Sequence, residues 1–113
     1  MAKMEYRFRG DFQALLRAID DGIMSGLSSS YEDGSNWGQG DVRCAVRVYE
    51  RYSVFGSNRV SLNVTVVADG NDLFVSAITS GGSQAVLFKL NTIGESTFLG
   101  MLDSVIRDFR RGG

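Results

Sequence analysis

Residues 59–79 read RVSLNVTVVADGNDLFVSAIT. Apolar and polar side chains alternate on both sides of the dipeptide Asp69-Gly70, which is a strong signal for a tight hairpin turn. Alternation with a period of two residues is typical of a strand that buries one face. This stretch therefore predicts two antiparallel strands, 59–68 and 73–79, that share one apolar face of a sheet.

The rest of the chain carries two kinds of apolar pattern. Apolar residues recur at helical spacing after Asp11, a residue type that caps helix N-termini, and this predicts a helix at 12–24. A second helix is predicted near the C-terminus, where Thr92 and Glu95 form a capping-box pattern. Alternating patterns predict the remaining strands at 4–9, 28–37, 42–54 and 84–90. The predicted order is strand, helix, five strands, helix.

An antiparallel sheet with both helices on one face fits this order, because each helix has one apolar stripe and most strands alternate. We therefore expect an α+β fold of order β-α-β5-α, formed as a single domain over residues 1–113, with the first strand beside the last. The order resembles the helix-grip and TBP-like folds, in which a C-terminal helix lies across a curved antiparallel sheet. That resemblance concerns architecture and implies no function.

The composition disfavours several classes of function. The 113 residues include 12 Lys and Arg, 13 Asp and Glu, no His and one Cys, for a net charge of -1. Such a chain lacks the basic excess of most nucleic-acid binders and the ligands of a Cys/His zinc site. We expect no metal and no cofactor. The N-terminus lacks the apolar core of a signal peptide, and no apolar run reaches membrane-spanning length, so we expect a cytoplasmic protein without membrane contact.

Strand alternation also predicts which side chains leave the core. If the even-numbered residues of 42–54 and 59–68 both face the helices, an odd-length loop or a bulge must join these strands. The opposite face then carries four apolar residues: Phe74, Ile78, Ala85 and Leu87. A soluble protein rarely exposes such a patch, so we expect a homodimer packed sheet to sheet about a two-fold axis. The alternatives are a different register, or loops of the chain itself that cover the patch.

The same outward face is predicted to carry Arg43, Arg47 and Arg51, with Tyr49 between two of them. Guanidinium groups suit carboxylates and phosphates, and arginines about 13 Å apart along a strand could follow an extended anion or a partner surface. The alternative is a solvated face whose arginines pair with neighbouring strands.

Two smaller groups are also candidates. Glu50 lies with Tyr52 on an otherwise apolar side of its strand and could line a pocket, unless this strand end is simply solvated. Residues 31–41 read YEDGSNWGQGD, and Asp33, Trp37 and Asp41 make this hairpin a candidate lid or partner contact. Alternatively, the tryptophan tucks over the edge of the core. Cys44 is interpreted as a small core residue.

Four runs of sequence resemble a known family. They are SYEDGS (Ser30–Ser35), DVRCAVRVYERYS (Asp41–Ser53), NRVSL (Asn58–Leu62) and AITSGGSQA (Ala77–Ala85). They are similar to a family of small bacterial proteins classed as a domain of unknown function. The resemblance covers nearly the whole chain and implies a bacterial, cytoplasmic, single-domain protein. It implies no activity, cofactor, partner or catalytic residue.

Three classes of function follow from these observations. The leading hypothesis is a non-enzymatic binding or interaction module that self-associates through the outer sheet face. The second is a carrier of a small apolar ligand held between the sheet and the C-terminal helix. The third is an enzyme that uses carboxylates such as Glu50. This hypothesis is the least favoured, because the chain has no histidine to serve as a general base.

Overall fold

The computed structural model describes residues 2–26, 29–52, 59–81 and 98–112. The elements in these ranges are β1 (Ala2–Arg9), α1 (Phe12–Met24), β2 (Ser29–Gln39), β3 (Val42–Tyr52), β4 (Arg59–Asp69), β5 (Asp72–Gly81) and α2 (Phe98–Gly112). The α+β fold is therefore confirmed, in the order β-α-β4-α. The predicted strand at 84–90 and the predicted capping residues Thr92 and Glu95 lie outside the described residues.

The described strands form one antiparallel sheet in the spatial order β1-β5-β4-β3-β2. Gly40 and Gly70 adopt positive φ angles of 59° and 60° in the two tight turns, which is the backbone region that glycine enters without strain. The register of β2 against β3 shifts between Tyr31 and Asp33, so a bulge interrupts this edge strand. The first strand pairs with β5, and the strand predicted to lie beside it, at 84–90, is outside the described residues.

Helix α1 begins where the sequence predicts, because the carboxylate of Asp11 accepts a hydrogen bond of 2.8 Å from the amide of Ala14. Its buried residues, Leu15, Ile19 and Ile23, recur every four residues and face the sheet. The two helices approach closely at Gly22, where an added Cβ would collide with Val105 of α2.

The core lies between the helices and one face of the sheet. Its central strands supply Leu62, Val64, Val66, Val75 and Ala77, and none of these side chains is accessible to solvent. Leu102 and Ile106 of α2 cover them together with the apolar stripe of α1. The inward faces of β4 and β5 are those that the alternation predicts.

The facing of β3 differs from the prediction. Residues opposite each other in a ladder point to the same face, and Arg51, Arg47 and Ala45 pair with the inward-facing Val60, Val64 and Val66. The odd-numbered residues of β3 therefore face the helix side, and Val42, Cys44, Val46 and Val48 face away from it. The prediction failed because the connection between paired Tyr52 and Arg59 is residues 53–58, an even number rather than an odd one.

Candidate functional site on the open face of the sheet

We call the side of the sheet away from both helices the open face. The register aligns its side chains in rows that cross all five strands, from β2 through β3, β4 and β5 to β1. One row is Trp37, Cys44, Val67, Phe74 and Arg7. The next two rows are Ser35, Val46, Thr65, Ser76 and Glu5, and then Asp33, Val48, Asn63, Ile78 and Lys3. Neighbours within a row are close enough to touch.

An apolar band runs along β3 and across one row of the open face, and the polar Asn63, Thr65 and Ser76 separate Ile78 from its other members. Its members are outward-facing side chains of β2 to β5, namely Trp37, Cys44, Val46, Val48, Val67, Phe74 and Ile78. Trp37 is 57% exposed and Ile78 is 39% exposed. Neither described helix packs on this side. The apolar band is therefore open to solvent in the part of the chain that the structure describes.

Charged side chains border the band on β1 and β2, the two outermost of the described strands. On β1, Lys3, Glu5 and Arg7 point outward, and an exposed ion pair of 3.5 Å joins Lys3 to Glu5. On β2, Asp33 points outward and Glu32 accepts a hydrogen bond of 2.5 Å from the hydroxyl of Ser30. One edge of the open face is thus mainly cationic and the other is anionic.

The predicted interface residues are placed in part. Phe74 and Ile78 project onto the open face, and the guanidinium of Arg7 lies 5.1 Å from the Phe74 ring centroid. Ala85 and Leu87 lie outside the described residues. The valines of β3 and Cys44, which sequence reasoning assigned to the core, enlarge the apolar area. The signal that could have found them is the even number of residues between β3 and β4.

The predicted row of arginines is not on the open face. Arg43, Arg47 and Arg51 all lie on the helix side of β3. The guanidinium of Arg51 lies 5.8 Å from the Phe98 ring centroid, and Arg47 donates to the backbone carbonyl groups of Val46 and Ser35 at 3.0 and 3.3 Å. Arg43 donates to the carbonyl of Gly40 at 2.8 Å. These contacts hold the arginines against their own sheet, which is a structural role.

Tyr49 also faces the helix side and is fully buried. Its hydroxyl donates to the carboxylate of Asp20 at 3.1 Å, and its ring meets that of Tyr31 edge to face at 5.8 Å. Burial raises the pKa of the Tyr49 phenol, and the nearby Asp20 carboxylate raises it further. The contact ties β3 to α1, so Tyr49 anchors the helix and does not mark a surface between arginines.

A groove separates α1 from the β2–β3 hairpin. Its volume is about 490 Å³, and its walls include Gln13, Arg17 and Asp20 of α1 with Tyr31 and Arg47 of the hairpin. The walls carry both signs of charge, so the groove shows no preference for an anion.

Glu50 is partly exposed and is held by an ion pair. It lies on the open face at the end of β3, where its carboxylate forms an ion pair of 2.8 Å with Arg59. The hydroxyl of Ser61 donates to the same carboxylate at 3.4 Å. Tyr52 pairs with Arg59 through its backbone, and its side chain is outside the described residues. The paired carboxylate serves to join β3 to β4.

The hairpin candidates lie on or beside a regular strand. Trp37 stands on the open face of β2 and does not tuck over the core edge. The carboxylate of Asp33 accepts the amide of Gly34 at 2.8 Å, and Asp41 lies in the turn, where its carbonyl accepts from Gly70 at 3.0 Å. Within the described ranges, no three acidic or cysteine side chains gather as a metal ion requires.

Comparison with known proteins adds a family to this geometry. A family model matches residues 1–110. The chain belongs to DUF6054, a family of unknown function. The resemblance to a family without assigned function is thereby confirmed. Membership of DUF6054 assigns no activity to the residues of the open face.

No curated protein matches the chain. The crystal structure of TTHA0849 from Thermus thermophilus is similar over 95% of this chain and 97% of its own, with 12% identity and a TM-score of 0.29. At that level of similarity the likeness supports no argument about fold or function. Among the described residues, no helix is long and apolar enough to cross a membrane.

Proposed function

We propose that this chain is a non-enzymatic interaction module that self-associates through the open face, sheet to sheet. The observation that carries the proposal is the apolar band, which lies on the open face and includes the exposed Trp37. Six of its seven members adjoin one another, and monomeric soluble proteins rarely leave a large apolar surface uncovered. A second copy of the same chain supplies a matching apolar surface, because a two-fold contact uses one patch twice.

The size of the open face supports a second copy as the partner. Five strands about 4.8 Å apart, each about ten residues long, span roughly 24 Å by 33 Å, or about 800 Å². A stable interface of standard size buries about 800 Å² on each partner. The open face therefore offers the area that a dimer needs, and it combines an apolar band with charged margins.

The two other hypotheses gain less support. Among the described residues, the buried Val75, Leu102 and Ile106 lie between the sheet and α2, which favours packing over a ligand cavity. Glu50, the carboxylate singled out for acid–base chemistry, is held by Arg59. Neither the carrier nor the enzyme is favoured by a specific observation, so we do not propose them.

Self-association is tested by light scattering coupled to size exclusion, with a charge placed in the apolar band. The chain has a mass of 12.3 kDa, and we expect the wild type to elute at twice that mass at micromolar concentrations. Val46 lies outward near the middle of the band, so Val46→Arg buries an unpaired cation in the interface. We expect this variant to elute at the mass of one chain, with dimer affinity reduced by about 100-fold or more.

Gln13→Arg is the matched control, because Gln13 is exposed on α1 and faces the opposite side of the molecule. It adds the same charge and should leave the dimer intact. Circular dichroism establishes that Val46→Arg is folded, and Ile78→Arg, at a more exposed position, serves as a second variant. A wild-type protein that stays monomeric, or an arginine at either position that leaves the dimer unchanged, contradicts the proposal.

A further inference from the structure

The open face carries opposite charges on its two sides, β1 and β2, and this difference determines how two copies meet. We propose that they pack with the two-fold axis parallel to the strands, so that β1 of each chain lies over β2 of its partner. This inference rests on the proposed self-association, and it adds the orientation and the residues that determine it.

Two simple arrangements bring two copies of one sheet face to face. In both, the two-fold axis lies midway between the sheets. An axis across the strands places each strand over its own copy, so β1 meets β1 and β2 meets β2. An axis along the strands, above the central β4, exchanges the edges, so β1 meets β2 and β5 meets β3. The charge of the edge strands decides between the two.

The edge strands carry opposite charge. The strand β1 has the sequence AKMEYRFR, and its outward side chains are three cations and one acid: Lys3, Glu5, Arg7 and Arg9. Arg9 already pairs with Asp72 of β5 at 3.1 Å, so Lys3 and Arg7 are the cations of this strand that face a partner. The strand β2 has the sequence SSYEDGSNWGQ, with two acids and no cation. Placing β1 over β1 brings cations against cations, which interfaces avoid. Placing β1 over β2 brings cations against carboxylates.

The register gives individual partners in the favoured arrangement. A two-fold axis along the strands keeps every residue at its own height, so each row of the open face meets the same row of the partner in reverse order. Lys3 then lies over the partner's Asp33, because both belong to one row. Arg7 lies over the partner's Trp37, where a guanidinium can stack on the indole ring. Phe74 lies over the partner's Cys44, and Val67 lies over its own copy.

These partners remain within reach when the twist of the sheets is included. Packed sheets lie about 10 Å apart and their strands cross at about 30°. At β1, two strands from the axis, this rotation moves side chains by about 5 Å along the strand. The long side chains of Lys3 and Arg7 span such a displacement. Lys3 is free to reorient, since its only ion pair is the exposed contact with Glu5 among the described residues.

Charge reversal in two separate chains tests the orientation. Lys3→Glu places a carboxylate over the partner's Asp33, and Asp33→Lys places a cation over the partner's Lys3. By symmetry each homodimer then contains two repulsive contacts. We expect each single variant to dimerise about tenfold more weakly than the wild type in sedimentation equilibrium.

Mixing the two variants should restore affinity. A heterodimer of the Lys3→Glu chain with the Asp33→Lys chain has both edge contacts attractive again, with the signs exchanged. We expect native mass spectrometry of the mixture to show mainly the heterodimer. Arg17→Glu and Asp21→Lys, on the exposed surface of α1, make the same charge changes away from the open face. They should dimerise like the wild type and mix at random.

The outcomes separate the orientation from self-association itself. If the wild type dimerises but Lys3→Glu binds more tightly than the wild type, β1 faces β1 and the orientation is wrong. If the two variants show no preference for each other, the orientation is also wrong, while the proposed function stands. If the Val46→Arg variant dimerises as strongly as the wild type, the open face is not the interface and both proposals fail.

Discussion

Two buried or half-buried phenols depend on carboxylates from the helices. Tyr49 donates to Asp20 of α1, and the hydroxyl of Tyr6 on β1 donates to Asp103 of α2 at 3.0 Å. Desolvation by burial raises the pKa of both tyrosines, and the adjacent carboxylate raises each one further. Each bond joins a helix to the sheet at a single polar point.

These two pKa shifts predict the response of stability to alkaline pH. An unfolded tyrosine loses its proton near pH 10, whereas the folded tyrosines keep theirs to a higher pH. Their contribution is therefore complete below about pH 10 and is lost as the pH rises above it. We expect the free energy of unfolding in urea to fall between about pH 10 and pH 11. The double variant Tyr6→Phe, Tyr49→Phe should show a shallower fall.

The control is the same comparison at lower pH. Between about pH 7 and pH 9 the stability difference between the wild type and the double variant should stay constant, because tyrosine is neutral there in the unfolded chain and in the two folded sites. Equal slopes for the wild type and the double phenylalanine variant would show that neither phenol is protected by folding.

At the scale of elements, the contact between α1 and α2 depends on a residue without a side chain. Alanine normally stabilises a helix interior by about 1 kcal/mol relative to glycine. At Gly22 the new methyl group would overlap Val105 of the other helix, and overpacking costs about 1–3 kcal/mol. We therefore expect Gly22→Ala to lower the free energy of unfolding, although helix propensity alone predicts the opposite.

A double-mutant cycle checks this contact. In a Val105→Ala background the collision is removed, so Gly22→Ala should become neutral or stabilising. Gly112→Ala, at a helical position with no atom within 4 Å of the added Cβ, should also be neutral or stabilising. Gly22→Ala with the same cost in both backgrounds would show that the helices do not meet at Gly22.

The elements that the sequence predicts correctly have local signals. Helix α1 occupies the predicted 12–24 because Asp11 caps its start and Leu15, Ile19 and Ile23 form one stripe. The inward faces of β4 and β5 follow from the Asp69-Gly70 turn, which leaves only one register. The facing of β3 has no such local signal, because both of its faces carry apolar residues and its parity depends on the long connection to β4.

The candidate site was therefore only half predictable. The outward position of Phe74 follows from the turn next to it, and the structure confirms it. The outward position of Val46 and the inward position of Arg47 require the pairing of β3 with β4. A valine predicts an apolar environment, but the outward valines of β3 lie on the open face, which neither described helix covers.

At the scale of the whole molecule, the single tryptophan reports on the state of the open face. Trp37 is 57% exposed in one chain, and the proposed dimer covers it with the partner's Arg7. We expect its emission maximum to move to shorter wavelength, and quenching by iodide to weaken, as protein concentration rises. The folded monomeric variant Val46→Arg should show neither change. A wild-type spectrum independent of concentration across the measured dissociation constant contradicts burial of Trp37.

The bulge between Tyr31 and Asp33 protects one edge of the described sheet from pairing with another chain. An unbroken edge strand of 11 residues would recruit the edge of another chain, and each added chain would present a new edge, which is the route to fibrils. The bulge and the adjacent carboxylates of Glu32 and Asp33 hinder such edge-to-edge pairing. Contact through the sheet face has the opposite consequence. In a two-fold pair each chain buries the open face of the other, so no third chain can add through that face.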